Sequence, residues 1–271
     1  MSVAKLRSGL AGPEPLVMGV LNVTPDSFSD GGLFQTIDSA LARVAEMVSE
    51  GADVIDIGGE STRPGSVQPA TQEELDRVLP VLEAVQAEFD CPISIDTSTP
   101  ALMIEAVSRG VALINDVRAL TRPGAHEAVG SEAFIVLMHM QGTPATMQEA
   151  PHYEDVVMEV SGFLIERVNA LQAAGINEDR FILDPGFGFG KTRLQNMQLI
   201  RGIPVLLAKG YPVMIGLSRK SSIQQLASDV VVGSVAGALA SRAAGAKIIR
   251  VHDVAATISA FNVWREIEQA D

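Results

Sequence analysis

Phe181-Ile182-Leu183-Asp184-Pro185-Gly186-Phe187-Gly188-Phe189-Gly190-Lys191 contains the pattern that decides the fold. An apolar run ends on a carboxylate, and the chain then enters a segment where glycine alternates with phenylalanine, so a strand stops at a charge. Alternate glycines admit positive φ and let the backbone come close to a ligand, while Phe187 and Phe189 offer flat faces beside the acid. An acid among aromatic rings suits a flat heterocycle. Taken alone, the segment equally reads as a glycine turn carrying two core phenylalanines.

The same grammar recurs along the chain. Short runs rich in Val, Ile and Leu occupy 16–23, 54–59, 93–97, 113–117, 134–140, 181–186, 213–218 and 248–253. They are nearly continuous in apolar residues, as strands buried on both faces are. Amphipathic segments lie between them. Leu41, Val44, Ala45 and Val48 form one apolar stripe; Val156, Val160, Phe163, Leu164, Val168 and Leu171 form another; Ile258, Phe261, Trp264 and Ile267 share one side of the last helix. Eight alternations of strand and helix in a chain of this length predict a (β/α)8 TIM barrel, with residues 1 to about 15 as an N-terminal extension and the whole chain as a single domain. A doubly wound open sheet is the alternative, disfavoured because no edge strand and no early G-x-G-x-x-G turn is present.

The chain has 271 residues, 47% of them hydrophobic and 20% charged, which suffices for a packed core and excludes disorder. Cys91 is its single cysteine, so no disulfide forms within the chain and a reducing compartment is expected. No signal-type segment opens the sequence and no apolar run is long enough to span a bilayer, which predicts a soluble, cytoplasmic protein without a membrane partner. A net charge of −13 argues against nucleic acid as a partner. Any anionic ligand therefore needs a local cluster of cations.

In a barrel the active site lies where the strands end at their C-termini. Here those ends are polar: Asn22; Glu60, Ser61, Thr62 and Arg63; Asp96; Asn115 and Asp116; His139 and Gln141; Asp184; Ser218, Arg219 and Lys220; Arg250 and His252. One polar strand end is ordinary, whereas eight converge on one mouth. Asp96, Asn115 and Asp184 supply two acceptors and an amide. They suit either a divalent metal with hard oxygen ligands or a planar N–H edge gripped as a carboxylate grips a guanidinium. Lys220 would keep such a carboxylate ionised and could itself donate to a ring atom. Arg250 and His252 point the same way by period two, and with Asn22 of the adjoining strand they form a corner for an anion and its magnesium. The loop 22–32 suits a lid, and Arg63 between Pro64 and flanking glycines suits an anion clamp. His139 reads as a hydrogen-bonded core or rim histidine rather than a catalyst.

These blocks carry a family resemblance covering almost the whole chain. Met18-Gly19-Val20-Leu21-Asn22-Val23-Thr24-Pro25-Asp26-Ser27-Phe28-Ser29-Asp30-Gly31-Gly32 and Gly58-Gly59-Glu60-Ser61-Thr62-Arg63-Pro64-Gly65 resemble the two signature segments of dihydropteroate synthases. Ser94-Ile95-Asp96-Thr97, Ile114-Asn115-Asp116-Val117, Met138-His139-Met140-Gln141-Gly142, the Asp184 segment, Ser218-Arg219-Lys220-Ser221 and Arg250-Val251-His252-Asp253 follow in the family's order. The resemblance implies condensation of 6-hydroxymethyl-7,8-dihydropterin pyrophosphate with 4-aminobenzoate. It implies that Asp96, Asn115, Asp184 and Lys220 hold the pterin. Asn22, Thr62, Arg63, Arg250 and His252 would hold the pyrophosphate, with Asn22 on Mg2+. Thr62, Pro64, Phe189, Lys220 and Ser221 would surround the aminobenzoate, where sulfonamides compete. A homodimer is expected, and the small-residue segment 233–246 would permit close helix contact or equally serve core packing.

Loss of pyrophosphate makes charge stabilisation at the leaving group the dominant requirement, so Arg63, Asp96, Lys220 and Asp30 are the expected catalytic residues, with dissociation ahead of amine attack. Two departures from the family pattern stand out: Ser228-Asp229-Val230-Val231-Val232 leads directly into Gly233-Ser234 without the usual longer loop, and Thr99 replaces a common lysine. Three other readings remain: a pterin-binding methyltransferase barrel, a non-catalytic pterin-binding module, and an aldolase with Lys220 as Schiff-base lysine.

Overall fold

The computed structural model describes residues 2–24, 33–61, 66, 68–143, 146–147 and 150–270, without the side chains of residues 33–36. The eight strands are β1 (Leu16–Asn22), β2 (Val54–Gly58), β3 (Ile93–Asp96), β4 (Leu113–Asp116), β5 (Phe134–Met138), β6 (Phe181–Asp184), β7 (Met214–Ile215) and β8 (Ile248–Val251). All laddered pairs are parallel, in the order β6-β5-β4-β3-β2-β1-β8-β7. The ring shuts between β6 and β7 through a single bridge, Leu183 to Val213. The Leu183 N–H donates to the Pro212 carbonyl at 2.9 Å beside it. This is the (β/α)8 barrel expected from the sequence.

Between the strands run α2 (Leu33–Ser49), α3 (Thr71–Glu88), α4 (Pro100–Ser108), the single turn α5 (Ala125–Ala128), α6 (Val156–Ala173), α7 (Arg193–Arg201), α8 (Ile203–Leu207), the single turn α9 (Ser221–Gln224), α10 (Val230–Ala243) and α11 (Val254–Gln269), preceded by an N-terminal helix α1 (Ser2–Ala11). Strand parity sorts their contacts. Val17, Leu21, Ile55, Ile57, Ile95, Ile114, Leu137, Leu183 and Ile215 face outward and join the layer of core shared with the helices. Met18, Val54, Leu113, Phe134, Val136, Ile182, Met214 and Ile248 face inward and fill the barrel with a separate cluster.

The N-terminal extension has a defined place. Leu6 of α1 is 1% exposed and belongs to the inward cluster, with Val3 and Leu10 packed against it, so α1 covers the apolar end of the barrel opposite the mouth. After β7 the chain passes through α9 to Asp229, which caps α10 by accepting from the amides of Val231 and Val232 at 2.8 and 3.1 Å. The glycines of α10 serve internal packing, because a Cβ on Gly233 would lie 2.6 Å from Ala227 Cβ and one on Gly237 would lie 2.7 Å from a Leu217 methyl.

Candidate functional site

Inward-facing residues turn from apolar to polar as the strands approach their C-terminal ends. Parity resolves the paired candidates at the end of β4. Asn115 faces the interior, where Nδ2 donates to Asp56 Oδ2 at 3.2 Å. Asp116 faces outward and organises the following turn: it accepts from Ser98 Oγ and from the amides of Arg118 and Leu120 at 2.9 and 2.8 Å. The two adjacent polar residues thus have separate tasks.

Arg250 of β8 crosses the barrel. Its Nε donates to Asp56 Oδ2 at 2.6 Å and its Nη2 to Asp96 Oδ2 at 2.8 Å. Burial raises the Asp96 carboxyl, an effect that Arg250 opposes and the nearby Asp56, Glu60 and Asp116 carboxylates reinforce. Gly58, in register with both Asn22 and Asp96, leaves room for this carboxylate, since a Cβ there would stand 3.3 Å from Asp96 Cβ. His252 follows β8, and its Nδ1 lies 3.1 Å from Ser218 Oγ. Burial and the cations Arg250 and Arg219 push the His252 imidazole down to about 4, leaving it neutral at pH 7.

The Asp184 segment closes another side of the mouth. Gly186, Gly188 and Gly190 have φ of 70°, 85° and 64°, the left-handed region anticipated for them. The turn lets the Gly186 amide donate back to Asp184 Oδ1 at 2.7 Å. Lys191 fastens the turn from behind: its buried Nζ is shared among His139 Nδ1 at 3.0 Å, His139 O at 3.2 Å, Gly186 O at 2.9 Å and Phe189 O at 2.9 Å. Burial pushes the His139 imidazole down to about 3, so the ring is neutral beside Lys191, and His139 is the hydrogen-bonded histidine expected. The phenylalanines divide. Phe187 is fully buried in the outer core, contrary to the reading that it offers a face to a ligand, whereas Phe189 joins Met138, Met147 and Val117 near the mouth.

Lys220 reaches this loop from beyond β7. Arg219 adopts φ 58° and its guanidinium turns outward to pair with Asp253, with Nε to Oδ2 at 2.9 Å. Lys220 then turns inward, its Nζ 2.5 Å from the Phe187 carbonyl and 4.4 Å from the centre of the Phe189 ring. Desolvation pushes the Lys220 ammonium down to about 8, with Asp184 as the principal opposing influence. Burial raises the Asp184 carboxyl, and Lys220 in turn opposes that rise.

The structure therefore brings Asp96, Asn115, Asp184, Lys220, Arg250, His252 and Phe189 to one end of the barrel. Asn22 ends the neighbouring β1, and exposed Ser221 opens α9 beside Lys220. Asp30, Thr62, Arg63 and Pro64 lie outside the described residues. Glu60, a candidate rim residue, forms a two-pronged pair with Arg118 at 2.8 and 3.3 Å and so anchors the root of the second loop. Sequence reasoning missed Asp56, which sits inside an apolar run. Period two was the available signal, placing Asp56 inward between outward Ile55 and Ile57.

A parallel barrel whose mouth sets carboxylates and an amide beside a lysine and an arginine defines a small-molecule site of the kind barrel enzymes carry, suited to a flat polar ring with an anionic tail. Residues 18–252 match the family described as pterin binding enzyme, and the chain belongs to that family. It is 50% identical over 261 residues to a dihydropteroate synthase of Haemophilus influenzae, covering 94% of this chain and 95% of that one. Among solved structures it is similar to the Xanthomonas albilineans dihydropteroate synthase with 4-aminobenzoic acid, at TM-score 0.89 and 48% identity over 95% of this chain and 94% of that chain. It is likewise similar to the Yersinia pestis dihydropteroate synthase in complex with a sulfonamide drug, at TM-score 0.90 and 46% identity over 96% of each chain.

Proposed function

We propose that this chain is a dihydropteroate synthase, joining 6-hydroxymethyl-7,8-dihydropterin pyrophosphate to 4-aminobenzoate. The observation that carries the reading is the single network in which Asn115, Asp56, Arg250 and Asp96 are linked across the barrel, with Asp184 and Lys220 beside it. Asp96, Asn115 and Asp184 suit the polar edge of the pterin, and Lys220 the ring atoms between them. Arg250 and His252, with Asn22, suit the pyrophosphate. Phe189, Lys220 and Ser221 suit the aminobenzoate, which is the position sulfonamides would contest.

In the reaction the bond from the pterin methylene carbon to the pyrophosphate oxygen breaks, and its electron pair leaves with pyrophosphate. The electron-rich ring delocalises the cation, the aryl amine nitrogen bonds to the carbon, and the amine passes its proton to the departing pyrophosphate or to water. Arg250 stabilises the departing charge through a guanidinium already oriented by two carboxylates. Lys220 positions ring and amine rather than acting as base, because the aryl amine needs no strong base. Asp30, Thr62, Arg63 and Pro64 belong to the same proposal through the family pattern alone.

Among the described residues no group of three or more His, Cys, Asp or Glu could hold a metal. The lone amide oxygen of Asn22 at the rim fits Mg2+, an ion that completes its shell with phosphate oxygens and water. When bound, Mg2+ supplies charge neutralisation at the pyrophosphate. Exposed Leu226, Val232, Val263 and Ile267 on and beside α10 and α11 support a homodimer, which sedimentation would test. Among the described residues no helix is long and apolar enough to cross a membrane, and the single cysteine supports a cytoplasmic setting. Incubating the purified protein with both substrates and Mg2+ tests the function: pyrophosphate and dihydropteroate are expected in equal amounts, and their absence refutes it.

A further inference from the structure

Asp56 is the middle residue of β2 and is completely buried within the barrel, one layer beneath the mouth. Its Oδ2 accepts from two residues on strands that flank β2 at a distance of two: Asn115 Nδ2 on β4 at 3.2 Å and Arg250 Nε on β8 at 2.6 Å. Its Oδ1 has no hydrogen-bond partner among the described residues. An interior carboxylate needs a reason to be retained, because burying one is costly unless it is paired.

The reason lies in what each contact imposes. An ionised carboxylate only accepts, so it must take the NH2 of Asn115 and cannot face the amide oxygen. With Nδ2 committed, Asn115 Oδ1 is the group left for a ligand, and among the described residues nothing donates to it. Arg250 is treated alike: Nε to Asp56 and Nη2 to Asp96 fix the plane of the guanidinium and leave Nη1 without an acceptor among the described residues.

We propose that Asp56 is a positioning residue of the pterin site, one carboxylate that sets the sense of the Asn115 amide and the plane of the Arg250 guanidinium before the ligand arrives. It touches no substrate. The ligand atom opposite Asn115 is accordingly an N–H donor, which deepens the reading of this site as a pterin site and rests on it. Preorganisation of this kind acts on affinity, since the bound geometry costs no reorientation on binding.

Two variants test the assignment by titration calorimetry with the pterin pyrophosphate, alongside KM and kcat for each substrate. Asp56→Asn removes the charge at constant shape. It should weaken pterin pyrophosphate binding about tenfold, on the scale of one charge-assisted hydrogen bond, while the KM for 4-aminobenzoate stays within about twofold. Asn115→Asp sets two carboxylates together and should lose more. The reciprocal exchange, Asp56→Asn with Asn115→Asp, puts the donor amide below and an acceptor oxygen above at unchanged net charge, and should recover most of the loss of Asn115→Asp. A folded Asp56→Asn variant that binds like the parent, or an exchange that recovers nothing, overturns the proposal. If both the Asp56→Asn and exchange proteins fail to fold, Asp56 supports the barrel alone and the proposal falls. If the parent itself binds no pterin, the functional reading falls first and takes the proposal with it.

Discussion

The Lys220 ammonium stands 4.4 Å from the centre of the Phe189 ring, so the cation beside Asp184 is held partly by an aromatic face. A contact of this kind contributes about 0.5–2 kcal/mol. Phe189→Leu keeps the apolar contact with Met138 and Met147 and removes the ring quadrupole. The KM for 4-aminobenzoate should rise several-fold in steady-state kinetics while the melting temperature stays within a few degrees; an unchanged KM would remove the ring from the site.

Two glycines of the same turn should respond differently to alanine. At Gly186 a Cβ would lie 1.8 Å from the His139 carbonyl oxygen, a backbone atom that cannot yield, and φ is 70°. Gly186→Ala should lose at least about 2 kcal/mol of stability in urea unfolding. At Gly188 the nearest atom is Lys220 Cδ at 2.9 Å, the middle of a flexible side chain. Gly188 has φ 85°, so Gly188→Ala also carries backbone strain of about 1 kcal/mol, but without a backbone clash it should still fold, and it should bind pterin several-fold more weakly because the displaced group is the lysine itself.

Desolvation pushes the Lys220 ammonium down to about 8, with Asp184 opposing. If its charge holds the pterin, affinity should fall as pH rises through about 8. Lys220→Arg keeps a cation above that pH, so its affinity, though lower, should stay flat. Calorimetry from pH 7 to 9.5 reads both, and a parent affinity constant over that range would dismiss the ammonium from binding.

His252 links the site to acid stability. Burial and the neighbouring Arg250 and Arg219 hold its folded value at about 4, against 6.5 for a free imidazole. Between those values the unfolded chain binds a proton that the folded chain refuses, so this contribution is whole above pH 6.5 and is lost as pH falls toward 4, at up to about 1.4 kcal/mol per pH unit. Carboxyls with raised values, Asp184 and Glu74 among them, have the opposite slope and partly mask it. His252→Asn should therefore flatten the difference curve against the parent in that window, as measured by urea unfolding at several pH values.

At the opposite end of the barrel, Leu6→Ala should cost about 2–5 kcal/mol, the range for emptying a buried leucine site. Leu6 belongs to the same buried cluster as Met18, Val54 and Ile248, far below the mouth along the strands. Both KM values should match the parent at 15 °C, where the variant is still folded.

The fold was legible because strands buried on both faces leave little besides Val, Ile and Leu between polar stops. Seven of those runs begin where a strand begins, at 16, 54, 93, 113, 134, 181 and 248. Their ends extend past the ladders, most clearly at 213–218, where the strand is only Met214–Ile215. The surplus residues belong to the mouth, where inward side chains require the backbone to leave the sheet. The site was legible at strand ends, and obscure where a residue acts through another. Asp56 was hidden by apolar neighbours. Asp116 looked like the equal of Asn115 until parity separated them, and Phe187 looked like Phe189 although its ring faces the core. Lys191 carries no signal in the sequence that distinguishes a fastener of the loop from a surface charge.

The bridge at Leu183 and Val213 gives the seam between β6 and β7 an unusual neighbour. Asp184 ends the strand on one side and Lys220 follows the strand on the other, so a molecule grasped by both spans the least-laddered join of the cylinder. A ligand that bridges Asp184 and Lys220 should therefore act as an extra rung, and the Leu183 amide, bonded across the gap to Pro212, should exchange with solvent more slowly when pterin is added, which hydrogen exchange reads.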